Sequence, residues 1–146
     1  MNTKHVTTRS TPTSEERKFL EDRLYEHNCA RTGQEDGQLF AFFVRDELQE
    51  IMAGISGWTW AGACEIQDLW VHPTLRGQGW GERLLKSAEQ EAQLHGCKVI
   101  LLSSYSFQAP AFYQKHGYEL AWQLNDFPPG HQYCYLVKRF PTEDAN

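Results

Sequence analysis

Between Val71 and Leu85 the chain reads "VHPTLRGQGWGERLL", with Gly77, Gly79 and Gly81 alternating behind Arg76 and leading into an amphipathic stretch. Glycine at a helix entrance costs roughly 1 kcal/mol relative to alanine, so this spacing asks for a role of the backbone itself. First-turn N–H groups have no intrahelical partner and lie at the positive end of the helix dipole. Without Cβ atoms in the way an anion such as a pyrophosphate can reach them, and Arg76 adds a forked, permanent cation.

Two familiar phosphate cradles are excluded by specific residues. A nucleoside-triphosphate loop needs G-x-x-x-x-G-K-[ST], and no Lys-Ser or Lys-Thr follows these glycines. A dinucleotide turn needs G-x-G-x-x-G and an acid some twenty residues on; here the spacing is G-x-G-x-G and "LLSS" stands at that distance. "GISG" makes no nucleophile elbow.

The elements that must hold the loop can be read around it. "ACEIQDLWV" predicts a strand stopped at Pro73, and Gly81 to His95 a helix with Leu84, Leu85, Ala88 and Ala92 on one face and Gly96 as its cap. The apolar run "KVILLSS" predicts a central strand buried on both faces, completing a βαβ unit. Upstream, "HVTTRS" predicts a short first strand. A helix is expected from about Thr13 to Cys29, opened by a Thr13/Glu16 capping box and ending near Gly33. "QLFAFFVRD" and "IMAGISGWTW" form an antiparallel pair. "FQAPAFYQKHG" forms a short helix, and "YELAWQL" and "QYCYLVKRF" a hairpin around "NDFPPGH". The fold class is α/β (α+β): one domain over residues 1–146, with a mixed sheet of about six to seven strands flanked by helices.

Composition narrows the function classes. With 40% hydrophobic and 23% charged residues in 146, and no long apolar window, the chain is expected to be a soluble domain without a membrane partner. Its N-terminus lacks the pattern of a signal peptide, which predicts a cytoplasmic protein. Cys29, Cys64, Cys97 and Cys134 form no CxxC pair and read as buried apolar residues. A net charge of −5 without a basic cluster argues against nucleic acid as the partner. His116 and His131 have no metal-ligand spacing, so no metal is expected.

The loop segment resembles the acetyl-coenzyme A signature of the GNAT superfamily of N-acetyltransferases, V-x-P-x-x-[RQ]-G-x-G-[x]-[GA], with every element present. The later block "SFQAPAFYQKHGYEL" resembles that family's N-x-x-A-x-x-[FL]-Y-x-x-x-G-[FY], with Ala109, Phe112, Tyr113, Gly117 and Tyr118 in register and Ser106 where asparagine is commoner. The resemblance implies acetyl transfer from acetyl-coenzyme A, as co-substrate, straight to a primary amine of a small molecule or peptide. It puts the pyrophosphate on Arg76, Gly77, Gln78, Gly79, Trp80 and Gly81, and the pantetheine arm along main-chain groups of Leu69, Trp70 and Val71, with a further cofactor contact from Ser106. It makes Tyr113 the general acid toward the leaving thiolate and a main-chain N–H near Val71 the donor to the thioester oxygen.

A protonated alkylamine must lose a proton before it attacks. Glu65 and Asp68 are the nearest acids by sequence, and Glu65 resembles in position the base of some family members. Strand alternation puts the two on opposite faces unless a bulge intervenes. Trp58, Trp60 and Asp126 could wall a cationic acceptor. The resemblance also brings a homodimer as an expectation, resting on no particular residue. A non-catalytic acyl-coenzyme A-binding or interaction module is the alternative.

Overall fold

The computed structural model describes residues 3–141, which fall into two compact units divided after Glu35. In the first unit, helix α1 (Ser14–Thr32) opens with the expected capping box: the Thr13 hydroxyl accepts from the Glu16 amide at 3.0 Å, and the Thr13 amide donates to the Glu16 carboxylate at 2.9 Å. It runs about one turn past Cys29 and stops at Gly33, whose φ of +73° is a left-handed cap. The predicted strand at His5–Ser10 is absent. Its β-branched residues have strand propensity, but a strand also needs a neighbour for its ladder, and these residues make none.

The second unit is a six-stranded sheet of β1 (Gln38–Arg45), β2 (Ile51–Trp60), β3 (Ala63–Val71), β4 (Val99–Tyr105), β5 (Glu119–Asn125) and β6 (Gln132–Arg139), in the order β1-β2-β3-β4-β6-β5. Helix α2 (Trp80–Leu94) joins β3 to β4, which pair in parallel as expected, and α3 (Pro110–Lys115) precedes β5. Leu84, Leu85, Ala88 and Ala92 of α2 pack with Ile55, Cys64, Ile66, Ile100, Leu102 and Leu136, so both helices and the core lie on one face of the sheet. β4 is central, but only that face of it is fully buried; Ser103 and its neighbours look out from the other. Within this unit the second face is bare.

Two features of β3 shape the space between the strands. Its ladder to β4 has three rungs, the last Glu65↔Leu101, whereas β3 stays paired to β2 as far as Val71↔Ala53 and β4 to β6 as far as Tyr105↔Tyr133. The sheet therefore parts into two arms. The register to β2 also slips: Gly57 faces Ile66 and Ser56 faces Asp68, leaving Gln67 as the extra residue of a bulge. All four cysteines are free and buried. Among the described residues no helix is long and apolar enough to cross a membrane.

Candidate active site

Where the arms part, a cleft of about 840 Å³ runs through the sheet, from the glycine loop and α3 on the helix side to Asp68 and Ser103 on the bare side. The loop end is made by backbone geometry. A single 3₁₀ turn (Pro73–Leu75) follows β3, then Gly77 and Gly79 take φ of +77° and +85°, the left-handed region where L side chains are strained. A Cβ at either would meet no atom within 4 Å, so packing does not demand glycine there; backbone conformation does, and the space in front of it is open. Gly79 is the N-cap of α2, so the first-turn amides have no side-chain cap, and the residues that carry them line the cleft.

Arg76 is oriented by its Nε donating to the Val71 carbonyl at 3.0 Å. Lys115 and His116, at the end of α3, also line this end. Both lie close enough to Glu82, in the first turn of α2, to help hold its carboxyl below the usual range, behind the larger effect of its hydrogen bond to Lys86. Three basic side chains and a helix N-terminus thus converge where a pyrophosphate is expected, and the donor set fits it. Sequence reasoning missed Lys115 and His116 because nothing local links the end of α3 to the loop. Of the loop residues proposed from the sequence, Arg76, Gly77, Gly79, Trp80 and Gly81 line the cleft; Gln78 does not, and its side chain donates to the Thr74 carbonyl at 3.0 Å.

Leu69, Trp70 and Val71 line the β3 wall. Tyr113 lines the cleft from α3 with its ring packed edge-on against Phe112 and Tyr118, and burial pushes its hydroxyl up to about 12. A phenol in that state stays protonated throughout the physiological range. Ser106 is outside the lining: its hydroxyl accepts from the Gln132 amide at 3.0 Å, tying the end of β4 to β6.

The bulge decides the bare-side end. Before Gln67 the core-facing residues are Cys64 and Ile66; after it they are Leu69 and Val71, so Glu65 and Asp68 project from the same face despite their odd separation. Gly57 permits this, because a Cβ there would lie 2.1 Å from the Glu65 carbonyl oxygen and 2.9 Å from Cζ of Phe40. Asp68 lines the cleft, 3.4 Å from the Ser56 hydroxyl. Glu65 lies two rungs behind it, across from Trp58, and desolvation raises its carboxyl above the ordinary value. Trp60 is two further rungs away, opposite Ala63. Asp126 is engaged in its own turn: at φ +58° its carboxylate accepts from the Gly130 amide at 2.9 Å. No group of three His, Cys, Asp or Glu side chains among the described residues is placed to hold a metal.

Over residues 5–118 the sequence matches the acetyltransferase (GNAT) family. The chain belongs to that family. It is 37% identical over 105 residues to blasticidin-S acetyltransferase of Streptomyces morookaense, spanning 69% of this chain and 75% of that one. Acetyltransferase Atu2258 of Agrobacterium fabrum (strain C58) is 30% identical over 127 residues, 87% and 93% of the two chains. The crystal structure of an acetyltransferase from Bacillus cereus ATCC 14579 superposes with a TM-score of 0.75 at 31% identity, over 94% of this chain and 98% of that one. This GNAT acetyltransferase is accordingly an acyltransferase with acetyl-coenzyme A as its co-substrate, acting as an N-acetyltransferase. The non-catalytic alternative is not favoured.

Proposed function

We propose that the amine approaches from the bare side of the sheet while acetyl-coenzyme A occupies the loop side, and that Glu65, Tyr113 and the backbone of Val71 perform the transfer. The observation that carries this is the cleft itself, which joins the anion-binding loop on one face to Asp68 on the other, with Glu65 next along that same face. Arg76, Lys115, His116 and the amides after Gly79 would grip the pyrophosphate, so that binding energy remote from the reacting carbon positions the thioester.

Glu65 takes a proton from the ammonium form of the acceptor through one water, since its own side chain is outside the cleft lining. Its raised pKa makes it a better base than an ordinary carboxylate. The freed nitrogen attacks the thioester carbon and charge builds on the carbonyl oxygen. The N–H of Val71 is placed to receive that charge: in a strand the N–H and C=O of one residue point the same way, and the Val71 carbonyl turns toward Arg76 while the His72 amide bonds back to β2 through Met52. As the C–S bond breaks, Tyr113 O–H protonates the thiolate, and the second proton shed by the acetylated nitrogen restores the Tyr113 phenol.

The same proposal sets this chemistry in one domain of a cytoplasmic protein, in keeping with four unpaired buried cysteines. It allows a homodimer through the exposed Leu39 and Phe43 of edge strand β1. The deciding experiment is thiol release from acetyl-coenzyme A by the purified protein across a broad panel of amines. Tyr113→Phe should lower kcat about 10²-fold with KM for acetyl-coenzyme A nearly unchanged, the loss expected of a general acid. An unchanged kcat removes Tyr113 from that role.

A further inference from the structure

Beyond the carboxylate pair, the bare face carries an aromatic shelf that the transfer chemistry does not use. Phe107 lines the cleft and stacks on Tyr105 with ring centroids 5.3 Å apart and planes within 5°. Tyr105 in turn meets Tyr133 at 4.6 Å and Phe127 at 5.6 Å, and the Tyr133 hydroxyl donates to Ser103, again on the cleft, at 2.6 Å. Phe107 and Phe127 are 57% and 43% exposed, and Trp122 beyond them 56%. A continuous run of exposed rings is uncommon on a soluble domain and marks a binding surface. Its position fixes the kind of occupant, because the shelf begins inside the cleft rather than at a sheet edge where another chain would add.

Charge also differs between the two ends. Among the described lining residues the basic side chains, Arg76, Lys115 and His116, belong to the loop end together with Glu82, which is paired to Lys86 at 2.9 Å, while the bare end has Asp68 with Glu65 next along that face. One carboxylate suffices to take the proton of the reacting amine. The second, on the same face only because of the bulge and roughly two residues' rise away along the strand, is left over.

We propose that the acceptor is a small molecule with a flat ring and two cationic groups: the ring lies on the Phe107–Tyr105 shelf, Asp68 holds one cation, and the other is the amine that is acetylated. This rests on the chain being an acetyltransferase and goes further by naming the class of acceptor. Ring-on-ring stacking and cation–ring attraction favour a flat cation over an aliphatic one, and Asp68 adds a charge-assisted contact that a monoamine cannot use.

Four amines separate the two features: hexylamine, 1,6-diaminohexane, benzylamine and 1,4-bis(aminomethyl)benzene, each assayed for kcat/KM by thiol release with the full chain. The ring diamine should exceed benzylamine and 1,6-diaminohexane by at least about tenfold each, and hexylamine by more. Asp68→Asn should bring the ring diamine to within about twofold of benzylamine, through KM rather than kcat. Phe107→Leu, a change at an exposed position that leaves the core alone, should bring it to within about twofold of 1,6-diaminohexane. Equal kcat/KM for all four, or an Asp68→Asn enzyme that keeps the preference, overturns the proposal while leaving the acetyltransferase standing. No release with these four or with the broad panel overturns both.

Discussion

The two ends of the cleft are built from different materials. The loop end is mostly backbone: left-handed glycines, uncapped helix amides and one arginine steered by a carbonyl, close together in sequence, with Lys115 and His116 of α3 as the additions from farther along the chain. The bare end is side chains, drawn from β2, β3, β4 and β6 and aligned by a single extra residue at Gln67. A ligand held by main-chain amides needs only the right backbone path, and that path is written locally. A ligand held by side chains needs a register, which no local stretch specifies.

This contrast can be broken at either end. The largest effect should come from Gly79→Val, which puts a β-branched residue at φ +85° and turns a Cβ toward the open space before the helix. Affinity for acetyl-coenzyme A measured by calorimetry should fall more than about 100-fold, while the stability cost of the strained backbone stays at roughly 1–2 kcal/mol. A variant that binds normally would show that the amides are not the grip.

Gly57→Ala should disturb the other end. The new methyl would sit 2.1 Å from the Glu65 carbonyl, so the bulge must shift or the two strands separate. Unfolding in urea should report a loss of about 2 kcal/mol, typical of overpacking, and turnover with amines should suffer more than acetyl-coenzyme A binding does.

Glu65→Gln acts on chemistry alone. Desolvation places the Glu65 carboxyl above the ordinary range, so kcat/KM for the native enzyme should rise with pH along a limb centred above the usual glutamate value, as the carboxylate forms. The variant should lose that limb and about 10²-fold in rate. Persistence of the limb would pass the base role to another group. The smallest effect belongs to Ser106→Ala: with its hydroxyl engaged by the Gln132 amide, affinity for acetyl-coenzyme A should change less than about twofold, against the contact expected from the sequence motif.

The order of strands and helices from Gln38 to Arg139 was legible because each element carries its own signal, apolar alternation or an i, i+3, i+4 face closed by glycine. The same logic failed at His5–Ser10, where propensity without a partner makes no strand. At the site, the loop could be found from spacing, and Tyr113 from the resemblance of its block to the family motif. The pairing of Glu65 with Asp68 could not be settled, since one bulge reverses every orientation after it, and the only hint was a glycine in mid-strand at position 57. Lys115 and His116 carry no local sign of their place beside the loop, because the chain that brings them there travels through α2 and β4 first.

An open sheet ordinarily has two edges; this one has four. The outer pair, β1 and β5, faces outward, while β3 beyond Glu65 and β4 beyond Leu101 face each other across the gap with their inward main-chain groups unmatched by a neighbouring strand. Such inner edges offer the same alternating donors and acceptors as an outer edge, but inside a cleft. The fold has in effect left out one strand, and a slender molecule bearing amides of its own can take its place.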